Sequence, residues 1–232
     1  MQAVAEEPRG GFSMIYRSAA TRATVVTAAL ALIAFLIVLS IYHDIAGLGL
    51  VGLAETGRLT TAAADSFDAM TAVIGYAYLA VHAITVIAFF AWLSRSVDNV
   101  PALGGGWPKV TPRWAIGWWF VPGANLLRPY QIVKDMSRRL ALVSESSRDR
   151  LIYLWWLVWI SANIAGLLPA GVKVNDLPSW SQWLDLSMYS DVLKLAAAIL
   201  AIAVVRRIQR RANARAVTLG QSAAPSLEAD AG

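Results

Sequence analysis

The stretch Ala23–His43 reads ATVVTAALALIAFLIVLSIYH, 21 residues without a single Lys, Arg, Asp or Glu. A helix rising about 1.5 Å per residue needs about 20 such residues to cross roughly 30 Å of hydrocarbon. The run is longer than the apolar core of about 7–15 residues in a signal peptide. No small-x-small cleavage pattern closes it, because His43 and Asp44 follow. It therefore reads as an uncleaved membrane span. Three further runs resemble it: Met70–Leu93, Leu151–Val172, and roughly Leu186–Val205, the last interrupted by Asp191 and Lys194. The spacing predicts an all-α integral membrane protein with four transmembrane helices over about 23–43, 70–93, 151–172 and 186–205.

Composition agrees with these runs. Hydrophobic residues make up 57% of the 232 residues and charged residues 15%, where soluble domains carry about 25% charged residues. A chain this apolar cannot cover itself with polar surface in water, so much of it must face lipid. Cysteine is absent, which excludes disulfides, thiol catalysis, iron–sulfur clusters and thiolate zinc sites. Two histidines cannot build an all-histidine metal cage, and no metal or other cofactor is expected.

Charge placement sets the expected orientation. Three arginines, Arg9, Arg17 and Arg22, precede the first span, and nine basic residues lie between Ser94 and Arg150. Five arginines, Arg206, Arg207, Arg210, Arg211 and Arg215, follow the fourth span. These are 17 of the 20 Lys and Arg residues. Only Arg58 and Lys173 fall on the other side, and Lys194 lies within a span. The positive-inside rule then places both termini in the cytoplasm. The net charge of +5 is mostly this topology signal, and no nucleic acid is expected as a partner, since that needs a basic face with base-reading or stacking residues. Trp92, Trp107, Trp114, Trp155 and Trp156 fall near the inner boundary and Trp180 and Trp183 near the outer one, where half-dry indole rings sit best. Residues 1–22 are then a cytoplasmic N-terminal tail, 23–211 the transmembrane domain, and 212–232, rich in Ala, Ser and Gly, a disordered cytoplasmic tail.

Between the second and third spans lies Trp114–Leu127, 14 residues flanked by Arg113 and Arg128. As a helix it reaches about 21 Å, too short to cross comfortably. Pro122 removes a backbone donor and Gly123 loosens the chain beside it. If it crossed, eleven basic residues would be misplaced. It therefore reads as a re-entrant or interfacial Trp-rich element on the cytoplasmic face, where broken backbone survives only if protein or water satisfies it.

The residues around that element carry a resemblance. Phe90-Ala91-Trp92-Leu93, Arg95 and Asn99, then Trp114, Gly117, Trp119, Phe120 and Pro122, then Asn125, Arg128, Pro129 and Tyr130, resemble the signature of a bacterial membrane-protein family, domain of unknown function family 4328. The resemblance covers roughly residues 67–207. It implies a multi-span protein of the bacterial cytoplasmic membrane and carries over no activity.

Downstream, Tyr130, Val133, Met136, Leu140 and Val143 recur at three- and four-residue spacing, with Lys134, Asp135, Arg138 and Arg139 opposite. This predicts a basic amphipathic helix over 129–143 lying on anionic lipid headgroups, with docking to a membrane-protein partner as the sharper alternative. Gly47-Leu48-Gly49-Leu50-Val51-Gly52 matches G-x-G-x-x-G, but a membrane span precedes it instead of a strand, so it reads as part of an outer loop over Asp44–Ala69. Gly104-Gly105-Gly106 lacks the Gly-Lys-Ser/Thr of a phosphate-binding loop and reads as a flexible turn.

Four polar residues fall inside the spans: His82, Asn163, Asp191 and Lys194. Thr71, Gly75, Tyr78, His82, Thr85, Phe89 and Trp92 alternate four- and three-residue steps, which places them on one helix face expected to point into the bundle. Lys194 lies about 18 Å along the helix from Arg206, and Asp191, three residues away on the same face, is close enough to pair with it. No Gly-x-Ser-x-Gly, His-Glu-x-x-His or pair of membrane aspartates stands out, and no catalytic residue is assigned. The expected function is a non-enzymatic scaffold, assembly or regulatory component of the membrane. The alternative is a small-solute or ion transporter component using the mid-membrane polar residues.

Overall fold

The computed structural model describes residues 12, 15–142 and 150–220. Among them are six α-helices and no strand: α1 (Ala20–Glu55), α2 (Thr61–Ala102), α3 (Pro112–Gly117), α4 (Arg128–Leu140), α5 (Arg150–Ala165) and α6 (Leu177–Thr218). Single 3₁₀ turns occupy Ala124–Leu126 and Pro169–Gly171. Four helical segments, Ala20–Glu55, Thr61–Ala102, Arg150–Gly171 and Leu177–Thr218, are long and apolar enough to cross a membrane. Their outward faces carry Phe35, Val73, Leu79, Ile87, Leu157, Ile164 and Ile199, all exposed. Exposed apolar surface on this scale is stable against acyl chains and not against water. The chain is an all-α, multi-pass membrane protein.

The helices divide between two compact units. The first comprises Val25–Ala88 and Tyr153–Val204, and the second Met1–Thr24, Phe89–Ile152 and Val205–Gly232.

In the first unit, α1 does not stop at His43. It runs on to Glu55, and the outer loop expected over Asp44–Ala69 shrinks to residues 56–60. The reason lies in the apolar residues between Asp44 and Glu55, which keep the helix in a dry environment where every backbone group must bond internally. Gly47, the first glycine of the G-x-G-x-x-G match, is a packing residue. A Cβ there would meet Phe67 Cζ at 2.8 Å and Leu184 Cδ2 at 3.0 Å. Around this contact, Val51, Phe67 and Leu184 form a buried cluster, covered by Leu48, Leu50, Leu177, Trp180 and Trp183.

The start of α6 is capped reciprocally. The Asp176 Oδ1 accepts from the Ser179 backbone N–H at 2.9 Å and from the Ser179 hydroxyl at 2.6 Å. The Ser179 Oγ in turn accepts from the backbone N–H groups of Asn175 and Asp176 at 3.0 and 3.1 Å. These bonds satisfy N–H groups that a helix start leaves without partners. They also hold the Asp176 carboxyl below the ordinary aspartate range, the Ser179 side chain contributing most. A carboxyl depressed in the folded state stabilises above its unfolded value and loses that contribution as pH falls through its folded value. Asp176→Ala therefore lowers the melting temperature of the detergent-extracted protein at neutral pH, and the difference from the parent closes in acid. A gap of equal size at every pH would refute the ionic cap.

In the second unit, Trp92, Leu93, Val97 and Val100 form the fully buried side of α2, and Leu103, just past its end, is buried with them. Asn99 binds the backbone of Arg17 twice, donating to its carbonyl at 2.8 Å and accepting from its N–H at 3.3 Å. Three arginines satisfy carbonyls at or beyond helix ends. Arg211 donates to the Ser137 carbonyl at 3.0 Å, and Arg215 donates to Leu103 O at 3.0 Å and Ala141 O at 3.1 Å. Arg139 donates to Gly105 O at 3.2 Å while pairing with Asp135 at 2.7 Å. The final carbonyls of a helix have no intrahelical donor, and a cation there also complements the helix dipole. These contacts explain why α6 continues to Thr218. Residues 212–218, which composition alone assigns to a disordered tail, are helical because Arg215 is tied at two points and Ala216 is buried. The remainder of that tail, 221–232, lies outside the described residues, as do Val143 and Arg148.

Candidate functional site

The polar residues of the first unit gather on α1, α2 and α6. The Lys194 ammonium donates to Asp191 Oδ1 at 3.0 Å and lies 5.9 Å from the centroid of the Tyr78 ring, within cation–π range. Its Cε is 3.7 Å from where a Cβ on Gly166 would stand, so the glycine admits the lysine stem. Asp191 is 7% exposed. Asp44, on α1, is 4% exposed and within electrostatic reach of both Asp191 and Lys194. Its Oδ2 has no hydrogen-bond partner among the described residues, and neither has the Oγ of Ser190, the residue before Asp191. Next to Asp44, the His43 Nε2 is 2.8 Å from Thr71 Oγ1, and the imidazole stacks on Phe67 at 4.0 Å. The result is a group of two buried carboxylates and one partly exposed ammonium within electrostatic reach of one another.

Sequence reasoning finds Asp191 and Lys194 but misses Asp44. The signal is present: apart from His43, Asp44 is the sole interruption in an otherwise uncharged run from Ala23 to Ala54. A charge beside the end of a 21-residue span reads as its boundary, whereas Asp44 sits inside a longer helix. Asp44 and Asp191 come within reach of one another because α1 carries Asp44 past the expected span end.

Of the other two polar candidates, His82 borders this group, within electrostatic reach of Lys194, while Asn163 bonds within its own helix. His82 is on an exposed face of α2, its ring 5.6 Å from that of Tyr78. The four-three stripe identifies a helix face but not its direction: Thr85 and Trp92 are buried along it, while Gly75 and His82 are exposed. Asn163 is also exposed, and its amide donates to the Trp159 carbonyl one turn back at 2.7 Å. That bond lets an amide side chain sit on an apolar helix without an unmet donor.

In the second unit, the Trp-rich element is broken as the Pro122-Gly123 pair demands. Thr111 caps α3, its Oγ1 accepting from the Trp114 N–H at 3.4 Å. The chain then turns, with Gly123 at φ +76°, into the 3₁₀ turn before α4. Trp119 packs edge-on against Phe89 at 5.4 Å and Phe90 at 5.7 Å. A Cβ on Gly117 would press on the Trp114 ring at 3.2 Å. Trp114, Phe120, Leu126 and Leu127 are exposed, and Arg128 lies 5.2 Å over the Trp118 ring. Pro122 is exposed, Asn125 half-buried, and Pro129 buried in the first turn of α4. On α4 the buried side is Pro129, Ile132, Val133, Met136, Ser137 and Leu140. Tyr130 is only half-buried, with the Lys134 ammonium 5.3 Å above its ring.

No curated protein and no solved structure matches this chain. The model of one family does match it, over residues 55–210, a region that holds Asp191, Lys194 and the whole Trp-rich element but not Asp44. By that match over two thirds of its length, the chain belongs to the family described as domain of unknown function DUF4328.

Proposed function

We propose that this protein is a non-enzymatic scaffold or assembly component of the bacterial cytoplasmic membrane, with both termini in the cytoplasm. The observation that carries the reading is the arginine-tethered second unit. Arg139, Arg211 and Arg215 hold carbonyls at and just beyond the ends of α2 and α4, which ties the 13-residue α4, marginal as an isolated helix, to the long α2 and α6. Its exposed groups are of two kinds. Trp114, Phe120, Leu126 and Leu127 suit the headgroup boundary, and Arg113, Arg128, Arg138, Arg206 and Arg210 suit anionic lipid or an acidic face of a membrane-protein partner. The orientation rests on the clustering of 17 of 20 basic residues.

Topology is the first test. The chain has no cysteine, so single substitutions report without background. Thr56→Cys and Ser181→Cys react with an impermeant thiol reagent in intact cells. Ser144→Cys and Ser222→Cys stay silent until the membrane is opened. Labelling of Ser222→Cys in intact cells would overturn the orientation. The scaffold role is tested by mild-detergent purification with mass spectrometry of bound proteins and small molecules. A stoichiometric membrane-protein partner lost on Arg113→Glu with Arg128→Glu supports it. Solute flux in proteoliposomes without any partner sinks it. That second outcome favours the transporter reading, for which the Asp44, Asp191 and Lys194 cluster is the specific support.

A further inference from the structure

The cluster on α1 and α6 has an incomplete charge set. Asp44 and Asp191 contribute two negative charges when ionised, and Lys194 contributes one positive charge. One negative charge is left over on two aspartates that are only 4% and 7% exposed. An uncompensated charge in an apolar setting is strongly disfavoured and is met in practice by a proton or a counter-ion. The neighbouring elements supply no further permanent cation. On α1 the adjacent titratable group is His43, engaged with Thr71 and Phe67. On α2 they are Tyr78, under the lysine ammonium, and His82, on the exposed face. Just past the end of α5, the lysine stem meets the uncharged Gly166.

A second observation points to where an occupant goes. The Asp44 Oδ2 is buried and accepts no hydrogen bond from the described residues. A buried carboxylate oxygen with no donor is the atom most in want of a positive partner. Lys194 is already committed to Asp191 at 3.0 Å. The Ser190 Oγ, 1% exposed and equally without a partner, is a further oxygen on the element that carries Asp191.

We propose that Asp44, Asp191 and Lys194 form a membrane-embedded binding site for one monovalent cation, a proton or an alkali ion, taken up at the Asp44 carboxylate. The site goes beyond the scaffold reading and does not depend on it. It gives the protein a way to sense, or to couple to, the cation gradient across its membrane. Asp44 is the group that meets the cation, and Lys194 positions Asp191 and sets the count at one.

Charge counting makes the test sharp. The full-length protein is purified in detergent, and unfolding is followed through its ten tryptophans. One series varies pH in choline buffer free of alkali ions. Another varies Na⁺ or K⁺ against choline at constant pH and ionic strength. A ligand that binds only the folded state raises the melting temperature, and each tenfold rise above its dissociation constant adds an equal step. The parent shows such steps in one series. Asp44→Asn and Asp191→Asn each leave one carboxylate and one ammonium, so each loses the steps entirely. Steps with acid alone identify the proton, and steps with one alkali ion, competed by acid, identify the metal ion. Either outcome supports the site. If the parent and both asparagine variants respond identically in the two series, the proposal is wrong. Should Asp44→Asn fail to fold, Asp191→Asn decides the matter alone, because it neutralises the cluster without touching the proposed ligand.

Discussion

Arg211→Met lowers the melting temperature of the detergent-extracted protein by about 5–10 °C, the largest effect expected from any single change outside the first unit. Arg211 is 3% exposed and Ser137 is fully buried. One guanidinium nitrogen donates to the Ser137 hydroxyl at 2.6 Å and to the Ser137 carbonyl at 3.0 Å. That carbonyl is among the last four of α4, the positions without an intrahelical donor. Methionine fills much the same volume but donates nothing, so a hydroxyl and a carbonyl stay buried without this donor. Hydrogen bonds to charged groups contribute about 1.5–3 kcal/mol, and a chain of this size shifts by about 2–4 °C per kcal/mol. Ser137→Ala removes one of the two acceptors and costs about half as much. In the double variant the losses do not add, because both changes break the same contact. Thermal unfolding of the four proteins checks this. A near-additive double variant would show that Arg211 acts through packing of its stem alone.

Arg211 also shows what can and cannot be read from the residues. Counting it among the basic residues that flank the fourth span gives its expected side of the membrane. Its partner is not readable, because Ser137 lies 74 residues away on another helix and a carbonyl leaves no mark in sequence. The four long apolar runs are legible because a lipid surface imposes a composition, and composition is local. The break in Trp114–Leu127 is legible because proline and glycine act on their own backbone. Helix ends are less so. The α1 helix runs through Gly47, Gly49 and Gly52 to Glu55, since Phe67 and Leu184 fill the notch at Gly47. That contact comes from helices further along the chain. The direction of the His82 face has the same difficulty: periodicity says which residues share a face, and only packing says what that face meets. Asp44 is hidden by both effects at once, a helix end placed too early and a partner on α6.

Lys194→Met is expected to be the most damaging single substitution in the first unit, and more damaging than the double change Asp191→Asn with Lys194→Met. The parent cluster holds two carboxylates and one ammonium. Removing the ammonium alone leaves Asp191, 7% exposed, without the donor it had at 3.0 Å, and leaves Asp44 facing a second negative charge. Breaking a buried pair by removing one partner costs about 3–5 kcal/mol, while replacing both partners with neutral groups is often close to harmless. The Lys194 side chain is 32% exposed against 10% for Asp191. Water on that face would screen part of the effect, whereas acyl chains would not. About 3 kcal/mol, or a fall of roughly 6–12 °C, is therefore the expected loss for Lys194→Met in a lipid nanodisc. The double variant carries the same net charge as the parent, a single unmatched carboxylate at Asp44, and recovers most of that loss. The ordering is the decisive readout, since it depends on charge count and not on the size of either effect. If the double variant melts below Lys194→Met, the lysine and the aspartate are not a compensating pair. Lys194 would then be held by its stem, between Tyr78 and Gly166, and its charge would be turned away from Asp191 in the working protein.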